Sequence, residues 1–172
     1  MLRLVSIPAL ASLIALSLPP AAGAVPVQSA PKARAELAIV RPLSLVRIAD
    51  MDFSTLGVTT GGTATINPVS GTMTVSGGLV QLTGMPSPAR YAGAALKKSV
   101  VNIKIPKQPV LIRRVGGTET LTVSNFTLDG QDKRALAQQE LFTFAVGAQI
   151  TVPAGAVEGI YVGDLDVTVQ YP

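Results

Sequence analysis

A chain of 172 residues with neither cysteine nor histidine, 4% aromatic and 14% charged, is closed to several kinds of chemistry. Disulfides, thiol nucleophiles, imidazole bases and the commonest transition-metal ligands are missing from its composition. The net charge is +4, but the basic residues are scattered, and the densest clusters, Lys97-Lys98 and Arg113-Arg114, have few aromatics beside them. Nucleic-acid binding therefore lacks both its stacking platform and its phosphate track, and these clusters read as solvated strand edges or loops.

The first 24 residues have the build of an export signal. Arg3 supplies a short basic region and residues 4–18 an apolar run. Pro19-Pro20 then breaks any helix, and Ala22-Gly23-Ala24 has the small-x-small pattern of a cleavage site, so cleavage is expected after Ala24. The apolar run is short for a membrane anchor, and no later stretch is long and apolar enough to cross a bilayer as a helix. The expected mature chain, residues 25–172, is exported to the periplasm, the cell surface or the extracellular space. Its 148 residues (172 less the first 24) suit a single domain, and a chain of that size buries about 68–70% of its unfolded surface without a staple.

Residues 25–36, "VPVQSAPKARAE", contain two prolines and several small residues and read as a flexible leader. The body is expected over residues 37–172, its first strand lying within "ELAIVRPLSLVRI" (residues 36–48), where Pro42 implies an edge or a bulge. From there the dominant signal is period two. It marks strands at residues 63–68, 71–77, 78–84, 99–106, 118–128 and 141–152, each rich in Val, Ile, Thr or Phe and bounded by Gly, Pro, Asn or Asp. "NPVSG" (residues 67–71) predicts a turn, with Pro68 presetting φ and Gly71 free to take a left-handed or bulge position. "DKRALAQQEL" (residues 132–141) has helical composition but is short, and it reads as a loop or single turn between strands. The last run, "GIYVGDLDVTVQYP", sets Tyr161, Gly163, Leu165, Val167, Val169 and Tyr171 on one face of a final strand. Short strands at this spacing predict an all-β, immunoglobulin-like antiparallel β-sandwich, with a closed barrel as the alternative. Neither an internal repeat nor a second domain is evident.

Candidate catalytic groups are few. Asp50 with Asp52, and Asp164 with Asp166, are carboxylate pairs that share a strand face. Calcium, however, takes six or more oxygens, and neither pair has the further ligands. A glycosidase pair calls for an aromatic-lined cleft, which this composition does not provide. A serine nucleophile with a lysine base is formally available, but nothing marks one serine among many. The expectation is a protein that is not an enzyme and has no cofactor and no metal site.

In order along the chain, "AIVRPLSLVRIADMDFSTL", "GTATINPVSGTMTVSGGLVQL", "SPARYAGA", "LTVSNFTL" and "FTFAVGAQITVPAGAVEGIYVGDLDVTVQYP" together resemble a bacterial secreted family known as domain of unknown function 4402. They also resemble the wider group that includes spore-coat-protein-U-like and fimbrial (pilus) subunits. The resemblance runs from about residue 38 to residue 171. Its most specific pieces are "DMDFSTL", "NPVSGTMTVSGG" and the ending carried by Gly159, Tyr161, Gly163, Val167, Thr168, Val169 and Tyr171. Ser54 stands where that family usually has glycine, a departure that bears on the local turn and not on the fold.

The resemblance implies a pilin-like sandwich lacking one strand, whose final strand borders the resulting groove. A periplasmic chaperone, and then the N-terminal extension of the next copy of the chain, would fill that groove by β-augmentation. On this implication the candidates for strand pairing are Gly159, Tyr161, Leu165, Val167, Val169 and Tyr171, each large apolar side chain contributing about 1.5–3 kcal/mol when fully buried. The leader, residues 25–36, is the candidate donor. "KARAELAIV" (residues 32–40) alternates better, with Ala33, Ala35, Leu37 and Ile39 on one face, provided it is not the body's own first strand. Two other readings stand beside this one. One is a self-complete secreted or surface sandwich of accessory role, in which Tyr171 closes a core. The other is a sugar-binding module, for which the aromatics are few.

Overall fold

The computed structural model describes residues 42–138 and 141–172 without interruption, together with Arg34, Glu36, Leu37 and Ile39. The expected export signal lies outside the described residues, as does the leader apart from Arg34 and Glu36. Ile39–Pro172 is one compact unit, and its strands in chain order are β1 (Ser44–Ala49), β2 (Thr55–Ile66), β3 (Met73–Thr83), β4 (Ala89–Ala94), β5 (Val100–Lys104), β6 (Val110–Arg114), β7 (Thr120–Leu128), β8 (Lys133–Ala135), β9 (Leu141–Val152), β10 (Tyr161–Val162) and β11 (Thr168–Gln170). Every pairing among them is antiparallel.

β9 organises the larger sheet. β4 and then β2 lie along one of its edges, and β7 runs along the other. β1 extends the sheet beyond β4, β3 beyond β2, and β6 followed by β10 beyond β7. The smaller sheet has the order β11-β5-β8. Alternate β9 residues explain the core. Phe142, Phe144 and Val146 are buried with Tyr91 of β4 and with Val101 and Ile103 of β5, so this cluster joins the two sheets. Further along the same face, Ala148, Ile150 and Val152 are buried with Ala64, Leu79, Leu121 and Val123 in a second cluster. The architecture is the expected all-β sandwich, with two separate sheets and not a closed barrel.

The turn at residues 67–71 forms as its sequence dictates. Gly71 takes φ +73°, its N–H bonds to the Asn67 carbonyl at 2.9 Å, and Asn67 Oδ1 accepts from the N–H groups of Val69 and Ser70. Three sequence expectations change. Residues 71–77 and 78–84 are not two strands but one, β3. The register between β2 and β3 slips between Val58 and Gly62, and Gly77 at φ +70° absorbs a bulge there, where a terminator was expected. The body's first strand, Ser44–Ala49, falls at the C-terminal end of the expected stretch and lies at the sheet's edge beside β4, in keeping with the edge position that Pro42 implied. The segment with helical composition supplies β8, because Arg134 ties it down on three sides: it pairs with Asp129, donates to the Thr143 carbonyl at 2.9 Å and lies over the Phe144 ring. The run from Gly159 to Pro172 is not one strand. β4 and β6, which had not been singled out as strands, complete the larger sheet.

Candidate functional site

The C-terminal run leaves the larger sheet and joins the smaller one, and two glycines make the crossing possible. Gly159 has φ +150°, and a Cβ there would stand 2.8 Å from Arg114 Cδ. The next carbonyl, that of Ile160, accepts the Val115 N–H at 2.8 Å. Tyr161 and Val162 then pair with Arg114 and Arg113 of β6. At Gly163 a Cβ would lie 2.6 Å from Ile112 Cγ2, so the backbone passes over β6 at a distance no side chain permits. From Thr168 the chain pairs with β5, as Thr168 with Lys104, Val169 with Ile103 and Gln170 with Asn102.

Of the six candidate residues, the structure brings four together. Leu165, Val167, Val169 and Tyr171 are half-buried and pack on the cluster that joins the sheets. Tyr161 packs instead on the second cluster, and Gly159 lines no apolar surface but forms the turn beneath Arg114. The single continuous strand expected over this run is therefore corrected to two short ones, because the crossing between sheets takes residues 163–167 out of ladder reach of either neighbour. No hydrogen bond is made by residues 163–167 among the described residues. Their side chains still alternate, with Asp164 and Asp166 exposed and Leu165 and Val167 turned in. Among the described residues β11 is the terminal strand of its sheet, paired on the β5 side alone.

Both tyrosine hydroxyls are satisfied within the chain. Tyr161 donates to the Val157 carbonyl at 2.7 Å, and Tyr171 accepts from the Leu96 N–H at 3.1 Å. The arginine beneath the crossing is paired as well, its Nε lying 2.8 Å from Glu119 Oε2. That bond, with backbone N–H groups around the carboxylate, holds Glu119 down at about 2, well below the usual carboxylate value. Lys97-Lys98 form a turn, and Arg113-Arg114 close the β6 end against β10.

The carboxylate pairs divide. Asp50 makes an ion pair with Arg47, while Asp52 accepts the Ser54 N–H through Oδ1 at 2.6 Å and bridges its backbone to Ser87. Asp164 and Asp166 make neither an ion pair nor a hydrogen bond among the described residues. No group of three or more acidic residues suited to a metal occurs among the described residues.

One feature escaped the sequence reading. Between β5 and β7 an open cleft of about 1010 Å3 is lined by the partly buried Ile105, Phe126 and Leu128, with Lys104, Lys107 and Lys133 among its other lining residues. The β7 side of the cleft includes a one-residue slip in the β7–β9 register between Ser124 and Thr127. Leu121 and Val123 point inward before the slip and Phe126 and Leu128 after it. The change of phase is visible in "LTVSNFTL", where apolar residues two apart become apolar residues three apart at Asn125.

A family model described as domain of unknown function (DUF4402) matches residues 43–171. No curated protein matches the chain, and no solved structure matches it.

Proposed function

The chain belongs to the DUF4402 family, and from that premise we propose that it is an exported, non-catalytic structural protein resembling a fimbrial subunit. Its C-terminal edge receives an extended segment from another copy. The observation that carries this reading is the condition of that edge. β11 ends the smaller sheet, and Leu165, Val167, Val169 and Tyr171 stand half-covered on the core beside it. An added strand would bond to the open main chain, and its alternate side chains would finish covering these four. The first strand of the body supports the same reading. It begins at Ser44, downstream of the alternating segment at residues 32–40, which on this reading serves a neighbour. A periplasmic chaperone on the same edge before assembly, and a relation to spore-coat-protein-U-like subunits, belong to this proposal. So do cleavage after Ala24 and a place in the periplasm or on the cell surface.

A specific observation favours a second reading, a self-complete sandwich. Tyr171 is already bonded to Leu96 and packed on the core, as a strand that needs no partner would be.

Light scattering behind a sizing column separates the two. The full-length chain is compared with one lacking residues 25–39, both recovered from the exported fraction. A ladder of oligomers that collapses on deletion, to a chaperone-bound monomer or to aggregate, is the outcome expected of a subunit. Two monomers with the same melting temperature overturn the proposal in favour of the complete sandwich.

A further inference from the structure

Asp164 and Asp166 lie two residues apart on the exposed side of the C-terminal edge, without an ion pair or hydrogen bond among the described residues. Leu165 and Val167, and after them Val169 and Tyr171, point to the other side. The N-terminal segment "KARAELAI" (residues 32–39) has the matching pattern. In an extended chain Ala33, Ala35, Leu37 and Ile39 share one face, and Lys32, Arg34 and Glu36 share the other. Leu37 and Ile39, the two large members of this face, are 83% and 89% exposed, although such side chains favour burial.

We infer that residues 32–39 of a second copy add beside residues 164–171 as a parallel strand, with Lys32 next to Asp164 and Arg34 next to Asp166, and that these two ion pairs set the register. The inference rests on the strand-addition reading above and goes further in naming the donor residues and their alignment. In this register the small side chains of Ala33 and Ala35 fall beside Leu165 and Val167, Leu37 beside Val169 and Ile39 beside Tyr171. Glu36 falls beside Thr168, clear of both aspartates.

The other alignments are worse for stated reasons. A slip of one residue turns Leu37 and Ile39 to solvent. A slip of two that brings Arg34 to Asp164 sets Glu36 against Asp166, and like charges side by side in a sheet are destabilising. An antiparallel strand that keeps both ion pairs puts Pro31, which has no N–H to give, beside Val167 and the polar Ser29 beside Val169.

The test reverses charges on each side separately in the full-length chain. Association is followed by light scattering over a dilution series, for Lys32→Asp/Arg34→Asp, for Asp164→Lys/Asp166→Lys, and for an equal mixture of the two. Each variant alone is expected to associate about tenfold or more weakly than the wild type. The mixture is expected to recover, because the acidic donor of one variant fits the basic edge of the other, and this recovery also shows that both variants are folded. Oligomers that persist unchanged in both separate variants, or a mixture that fails to recover, overturn this register while leaving strand addition in place. A wild-type chain that stays monomeric at every concentration removes the strand-addition reading and this inference with it.

Discussion

The Tyr171 hydroxyl accepts the backbone N–H of Leu96 at 3.1 Å, which fastens the end of β11 to the loop between β4 and β5. The ring meanwhile packs on the cluster between the sheets. Tyr171→Phe keeps the packing and leaves a partly buried amide without its partner, so it is expected to lower stability by about 1 kcal/mol. Tyr171→Ala also removes the ring and is expected to cost about 3 kcal/mol. Urea unfolding followed by far-ultraviolet circular dichroism measures both, and equal midpoints for wild type and the Phe variant would show that the hydrogen bond contributes nothing net.

Ser54 is strained where it stands. Its φ is +56°, and its Oγ is buried without a hydrogen-bond partner. The left-handed conformation costs an L-residue about 1–2 kcal/mol, and the stranded hydroxyl adds about 1 kcal/mol or more. Ser54→Gly relieves both at an entropic cost of about 0.5–1 kcal/mol. It retains the backbone N–H donated to Asp52, so the variant is expected to melt about 3 °C higher. A lower melting temperature would mean that the hydroxyl finds a water and the strain is small.

The two crossing glycines are expected to fail differently on substitution by alanine. At Gly163 the new methyl meets Ile112 Cγ2 at 2.6 Å and Ile112 Cα at 3.1 Å, so the strap must lift and part of the contact made by Tyr161 is lost with it. At Gly159 the obstacle is the flexible Arg114 side chain, but the backbone at φ +150° is itself closed to alanine. Both variants are expected to be destabilised by about 2 kcal/mol or more. Gly159→Ala should also weaken the Arg114–Glu119 pair, which the acid titration below reads directly.

Stability below neutral pH has a named contributor in that pair. Glu119 titrates at about 2 in the folded chain and near 4.3 when unfolded. A depressed folded-state value gives stability that is fully present above the unfolded value and is lost as pH falls toward the folded one. Glu119 is therefore expected to make the melting temperature fall between about pH 4.5 and pH 2, and Glu119→Gln to flatten that part of the curve. An identical acid limb in the variant would assign the loss to other carboxylates.

Much of the sandwich was legible because period two survives wherever one strand face is buried. "LFTFAVGAQITV" is β9 residue for residue, since its alternation and its flanks agree. The sequence misled where a local signal competed with a distant contact. Gly77-Gly78 reads as a terminator, yet the ladder to β2 continues past it through a bulge. "DKRALAQQ" reads as a loop or single turn of helical composition, yet part of it pairs with β5 as β8, and Arg134 within it is held by Asp129, by the Thr143 carbonyl and by the Phe144 ring, contacts that the segment's own composition does not encode. The final run was read correctly in its facing and wrongly in its pairing. Alternation records which side chains turn inward, and it is silent on which sheet they turn toward.

The crossing at Gly163 has a consequence for how the domain comes apart. A single stretch is hydrogen-bonded to β6 at one end and to β5 at the other, so neither sheet can open at that margin without pulling on the other. Amide protons of β5 and β6, in different sheets and joined by no direct ladder, should therefore exchange with solvent in the same event and with similar free energies of opening. The short segment acts as a rivet that makes two sheets of unequal size behave as one cooperative unit.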